Sequence, residues 1–148
     1  MGLTSPVNLP GRTCELDAID AVCVNALAGR GGAVLLEGPA GIGKTTLLAA
    51  ASARARDRGF AVLHGCADEL EMDAAWGVVL QLFGRFVDVN DTTLFDGAAA
   101  LARPLLAQLP ADEIAADPFQ VLHGLHWLTA TLAERQPLVV VVDDVQWS

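Results

Sequence analysis

Cysteine, basic residues and long apolar runs are all scarce in this 148-residue chain, and each scarcity excludes something. The three cysteines, Cys14, Cys23 and Cys66, are odd in number and form no CxxC pair. That excludes a disulfide framework and points to idle thiols in a reducing, cytoplasmic setting. Lys and Arg number 9 against 18 Asp and Glu, a formal net charge of −9. A surface that grips nucleic acid by its phosphates needs the opposite balance, so no nucleic-acid partner is expected through this chain. The same charge gives an anionic ligand no long-range attraction, so a phosphate site here must work by local geometry. The best apolar run, residues 137–142, stops at Asp143, far short of the roughly 18 residues of a membrane span. The opening MGLTSPVNLPGR lacks the basic and apolar regions of a signal peptide. Pro6 also occupies the position where myristoylation would need Ser or Thr.

Apolar side chains overall are plentiful. They make up 53% of the chain and raise the mean hydropathy to +0.42, more than a free-standing domain of this length needs for its core. Their spacing alternates between two periods. Leu16, Ile19, Val22, Cys23, Ala26 and Leu27 recur helically over 14–28, with Gly29, Gly31 and Gly32 as the stop. AVLLE (33–37) is short, apolar and bounded by glycines, which predicts a strand buried on both faces. A helix is expected over 44–58, stopped by Gly59, then a strand over 60–65 and an acidic loop to Asp73. Residues 74–87 and 93–109 read as helices, the second kinked or broken at Pro104. Residues 116–135 read as a helix with Asp117 as N-cap and Pro118 in the first turn. PLVVVVDD (137–144) is a third buried strand ending in two carboxylates. Strands and helices in this order predict an α/β fold with a parallel sheet and flanking helices.

Gly38-Pro39-Ala40-Gly41-Ile42-Gly43-Lys44-Thr45 satisfies G-x-x-x-x-G-K-[ST] at every position, between an expected strand and an expected helix. Glycines let backbone N–H groups turn inward around a phosphate where side chains would block the approach. The helix start near Lys44 adds free N–H donors and the positive end of a dipole. Lys44 can reach the β- and γ-phosphates of ATP, and the Thr45 hydroxyl can coordinate Mg²⁺, with Thr46 beside it. The bland alternative is a glycine-rich turn that happens to contain Lys-Thr. Asp143 and Asp144, after four valines, supply the second requirement, a Walker B pair. Asp143 would hold the Mg²⁺ and Asp144 would polarise the attacking water as general base. Solvation of a strand end is the plainer reading of that pair.

The stretches LPGRTCEL, LLEGPAGIGKTTLL, FAVLHGCADELE, WGVVLQLF and FQVLHGLHWLTATLAERQPLVVVVDDVQWS, in this order, resemble one family over residues 9–148. It is the N-terminal ATPase part of the large LuxR-type transcriptional regulators, within the signal-transducing AAA-like (STAND) P-loop ATPases. In DDVQWS, Ser148 stands where that family usually has alanine. Gly11-Arg12 with Glu15-Leu16 matches the family's entry motif, so the resemblance makes residues 1–13 a lead-in bearing a strap near the adenine. Arg12 becomes a nucleotide contact by that resemblance, and a surface arginine otherwise. Residues 14–148 become the N-terminal portion of the ATPase domain. The resemblance further implies an incomplete P-loop NTPase fold, cut after the Walker B strand. A further core strand, a lid-like domain and a DNA-binding helix-turn-helix would lie beyond. Strands 34–37 and 138–142 would then have open edges or pair with each other, and an open apolar edge favours self-association.

Other features read as structural. His123 and His126 lie three apart on one helical face beside Trp127, and packing there fits better than a metal site, which lacks a third ligand. Trp76, Phe83 and Phe86 form a stripe expected in the core, and Trp147 is expected to pack beneath a neighbouring strand. The leading functional expectation is an Mg-ATP-binding module of a regulatory ATPase, with weak or no hydrolysis. The alternatives are a remnant that keeps the motif without function, and a small P-loop kinase. The kinase would need an arginine-bearing lid, and Arg85, Arg103 and Arg135 are scattered.

Overall fold

The computed structural model describes residues 9, 11–67, 76–110 and 117–144. Trp147 and the acidic run Asp68–Asp73 lie outside the described residues. The chain divides into two compact units, Met1–Val62 and Leu63–Ser148.

In the first unit, α1 (Thr13–Leu27) and α2 (Lys44–Asp57) occupy the stretches their spacing predicts. Leu16, Leu47, Ala50 and Ala51 form a small core, with Leu9, Ile19 and Leu36 packed against it. Alanines let the two helices approach but bury little area, so charge supplements the contact. Asp20 of α1 accepts from Arg58 at 2.6 and 2.9 Å and from Arg54 at 3.0 Å, both on or just beyond α2. Burial pushes the Asp20 carboxyl up, but the hydrogen bonds from Arg58 and Arg54 outweigh it and hold it below the ordinary value. The turn at Gly59 closes α2 through a bond from the Phe60 N–H to the Ala55 carbonyl at 3.0 Å.

The strand predicted over 33–37 does not form. Residues 31–39 are irregular, and Val34 and Leu35 stand 44% and 70% exposed. A strand exists only as one member of a hydrogen-bonded pair, and among the described residues nothing supplies its ladder. Leu36 alone reaches the core.

The second unit is built on burial. β1 (Ala61–Cys66), which begins at the unit boundary, pairs with β2 (Leu138–Asp143) in a small parallel sheet. A bond from the Ala67 N–H to the Asp143 carbonyl at 3.1 Å extends the pairing. Leu63, Leu82, Phe83, Leu94, Phe95, Leu105, Leu106, Val121, Leu125 and Leu128 share one core. The central α5 (Pro118–Arg135) starts as predicted, with the Asp117 side chain accepting from the Phe119 N–H at 2.9 Å. At Gly124 it runs so close to residues 101–102 that a Cβ would lie 2.5 Å from the Ala102 nitrogen.

The two preceding segments depart from expectation. In place of a helix over 74–87, α3 covers Gly77–Phe83: the left-handed φ of 70° at its N-cap, Trp76, keeps it from beginning earlier, and it ends at Gly84; residues 74 and 75 lie outside the described residues. Beyond that short helix Phe86 is 42% exposed, so the expected core stripe holds for Phe83 but not Phe86. Over 93–109 a 3-10 helix, Gly97–Ala102, precedes the short α4 (Arg103–Leu106). Pro104 sits in the first turn of α4, where its missing N–H costs nothing, so it starts a helix and does not kink one.

Candidate nucleotide site

The loop between Leu36 and α2 is shaped by its backbone. Gly41 and Gly43 have φ of 76° and 92°, a region other residues rarely adopt, and a Cβ at either would meet nothing within 4 Å. Gly43 is the N-cap of α2 and carries no side chain, so no cap bond covers the start of the helix. The opening N–H groups of an α-helix have no partner within the helix, and here they come from Lys44, Thr45 and Thr46. Gly38, Pro39, Ala40, Gly41, Ile42, Thr45 and Thr46 are exposed, and Lys44 is half-buried. This is an accessible loop of peptide groups, which fits an anionic oxygen cluster.

Two cations close on the loop from its own side. Lys44 is the only lysine in the chain. Its Nζ donates to the carbonyls of Gly38 at 2.9 Å and Pro39 at 3.3 Å. Neutral carbonyls are weaker acceptors than phosphate oxygens, so an incoming phosphate would draw the ammonium away. Arg12 donates from Nη2 to the Ile42 carbonyl at 2.6 Å and from Nη1 to Glu15 at 2.8 Å. Its hydrogen bond holds the Glu15 carboxyl below the usual range. The Ile42 N–H donates within the loop to the Pro39 carbonyl at 3.4 Å.

Asp143 and Asp144 lie at the end of β2. Asp143 is 4% exposed and accepts the Asp144 N–H at 3.0 Å. Asp144 leaves the strand with a φ of 52°, so β2 ends at Asp143 and not at 144 as expected. Left-handed backbone is uncommon for a non-glycine residue, although Asp tolerates it better than most, and such residues concentrate at functional turns. The loop and Arg12 belong to the first unit and the two carboxylates to the second.

Glu15, named in the entry motif, makes a contact that the sequence does not specify, and Gln81 makes one in the second unit. Glu15 orients Arg12, and its position three residues into α1 was the available signal. The Gln81 side chain accepts from the Cys66 N–H at 2.9 Å at the end of β1, and no sequence feature marks it. The His123 and His126 rings meet Trp127 edge-on at 6.3 and 5.8 Å, in keeping with packing, and no group of three metal-ligating side chains occurs among the described residues. Arg135 is engaged by Asp91 at 3.0 Å and by Thr93. No helix among the described residues is long and apolar enough to cross a membrane.

A protein-family model described as an AAA ATPase domain matches residues 8–148. No curated protein and no solved structure matches the chain.

Proposed function

Because the chain belongs to the AAA ATPase domain family, we propose that it binds Mg-ATP in the Gly38–Thr46 loop as the nucleotide-responsive module of a signal-transducing regulator of LuxR type. The observation that carries the reading is the loop itself: left-handed Gly41 and Gly43, a bare N-cap, and Lys44 at the first helical position. Lys44 would leave its two carbonyls for the β- and γ-phosphates. Thr45 would offer its hydroxyl to the Mg²⁺, and the family resemblance gives Asp143 a metal-holding role and Asp144 that of general base toward the attacking water. The metal would supply charge neutralisation at the phosphates. Turnover would be weak or absent, since phosphoryl transfer needs several cations at the developing charge and the 38–46 loop carries only Lys44.

One observation favours a second reading, a folded chain that keeps the motif without the affinity: the loop is entered from irregular backbone at 31–37 and not from a strand. A kinase gains nothing from the structure, since Arg135 is committed to Asp91 and Thr93. Titration with a fluorescent ATP analogue and Mg²⁺, beside Lys44→Ala with folding checked by circular dichroism, separates the first two. The nucleotide reading expects saturable binding that Lys44→Ala weakens about a hundredfold, on the order of 2.7 kcal/mol. A folded wild-type chain that ignores the analogue supports the second reading.

A further inference from the structure

The family resemblance makes Arg12 a strap residue near the adenine, yet its guanidinium reaches the 38–46 loop. Nη2 donates to the Ile42 carbonyl at 2.6 Å and Nη1 to Glu15 at 2.8 Å. A planar group held at both ends has little freedom, so the Ile42 carbonyl is fixed in direction. The peptide joining Ile42 to Gly43 is itself planar and trans, which sets its N–H opposite to its C=O. Pinning the carbonyl therefore also aims the Gly43 N–H. That N–H sits at the N-cap of α2, where φ is 92° and no side chain could do the aiming.

The rest of the clasp is anchored independently of any ligand. The Arg12 N–H donates to the Leu9 carbonyl at 3.1 Å, and the Leu16 N–H to the Arg12 carbonyl at 3.1 Å. Leu9 and Leu16 both belong to the first unit's core. The contrast with Lys44 is informative. Lys44 holds the loop's entry at Gly38 and Pro39 only until a phosphate draws it away, whereas Arg12 holds the exit at Ile42 through contacts a phosphate need not disturb.

From this we infer that Arg12, oriented by Glu15, is a positioning residue: it fixes the Ile42–Gly43 peptide so that the Gly43 N–H faces the phosphate chain, and it does not read the base. The inference rests on the nucleotide reading above and names how that site is kept in shape.

The test compares two probes, Mg-ATP and inorganic Mg-tripolyphosphate, which shares the phosphates but has no base. Isothermal titration of the full chain is run for wild type, Arg12→Ala, Arg12→Lys and Glu15→Gln. Arg12→Ala is expected to weaken both probes equally, about tenfold, the size of one charged hydrogen bond. Arg12→Lys keeps the charge but cannot serve Ile42 and Glu15 from one planar fork, so a smaller loss, again equal for both probes, is expected. Glu15→Gln should fall in the same range. Arg12→Lys and Glu15→Gln keep the measurement decisive if Arg12→Ala does not fold. Loss of ATP with tripolyphosphate unchanged would overturn the inference in favour of adenine contact. Variants that bind both probes like the wild type would overturn it alone, leaving the nucleotide site standing. A wild-type chain that binds neither probe would remove the nucleotide reading and the inference with it.

Discussion

The two units reach order by different means. The first has a core of Leu16, Leu47, Ala50 and Ala51, and its helices are tied by Asp20 to Arg54 and Arg58. The second gathers leucines, phenylalanines and valines around α5, and its one surface ion pair between described residues, Arg135–Asp91, is a peripheral clasp. A unit whose work lies in a loop of peptide groups has few large side chains there to bury, so charged clasps at Asp20 and Arg12 carry part of the load. A unit without such a loop can rely on apolar area, at about 25 cal/mol per Å².

The difference can be broken most severely in the second unit. Gly124→Ala places a Cβ 2.5 Å from the Ala102 nitrogen and 2.9 Å from the Leu101 Cβ and carbonyl carbon. Backbone cannot yield as a flexible side chain does. A loss of about 2 kcal/mol is expected even after the gain in helix propensity, read as a lower urea midpoint. In the first unit, Asp20→Ala leaves Arg54 and Arg58 without their shared acceptor. The cost should be smaller, about 1 kcal/mol, and should shrink in 1 M salt as screening replaces the lost carboxylate. A salt-independent loss would mean that packing, not charge, joins α1 to α2.

Acid gives the mildest comparison. Asp91 is held down to about 2 by hydrogen bonds from Thr93 and Arg135, and Asp20 is lowered as well. A carboxyl lowered on folding contributes stability that is fully present above its unfolded value. For Asp91 that contribution fades as pH falls from about 3.8 toward about 2. Stability curves should therefore drop in this window, and Asp91→Asn should flatten a small part of the drop without touching the rest.

How much of this was legible in the sequence depended on whether a feature was local. Asp117 before Pro118 and Gly59 after α2 act through neighbours in the chain, and these helices stand where spacing put them; the valines of β2 form a strand because β1 supplies their ladder. AVLLE carries the same apolar signature as a paired strand, but pairing belongs to two segments, and residues 33–37 are without it. Phe86 fits a helical stripe whose helix stops at Phe83. The glycines and Lys44 of the loop were readable because the motif encodes backbone shape. Arg12 was readable as notable, but no spacing could say that a carbonyl thirty residues on would accept its proton.

Helix α1 carries two thiols in very different surroundings: Cys14 is exposed in its first turn, and Cys23 is 6% exposed, its thiol pushed up by burial. A thiol-reactive dye should modify Cys14 at once and Cys23 only when α1 lifts from its neighbours, since reaction needs an accessible thiolate. One helix thus holds both the reference and the reporter for a chemical clock. The ratio of the two labelling rates measures how often this unit opens under native conditions, and whether nucleotide slows it.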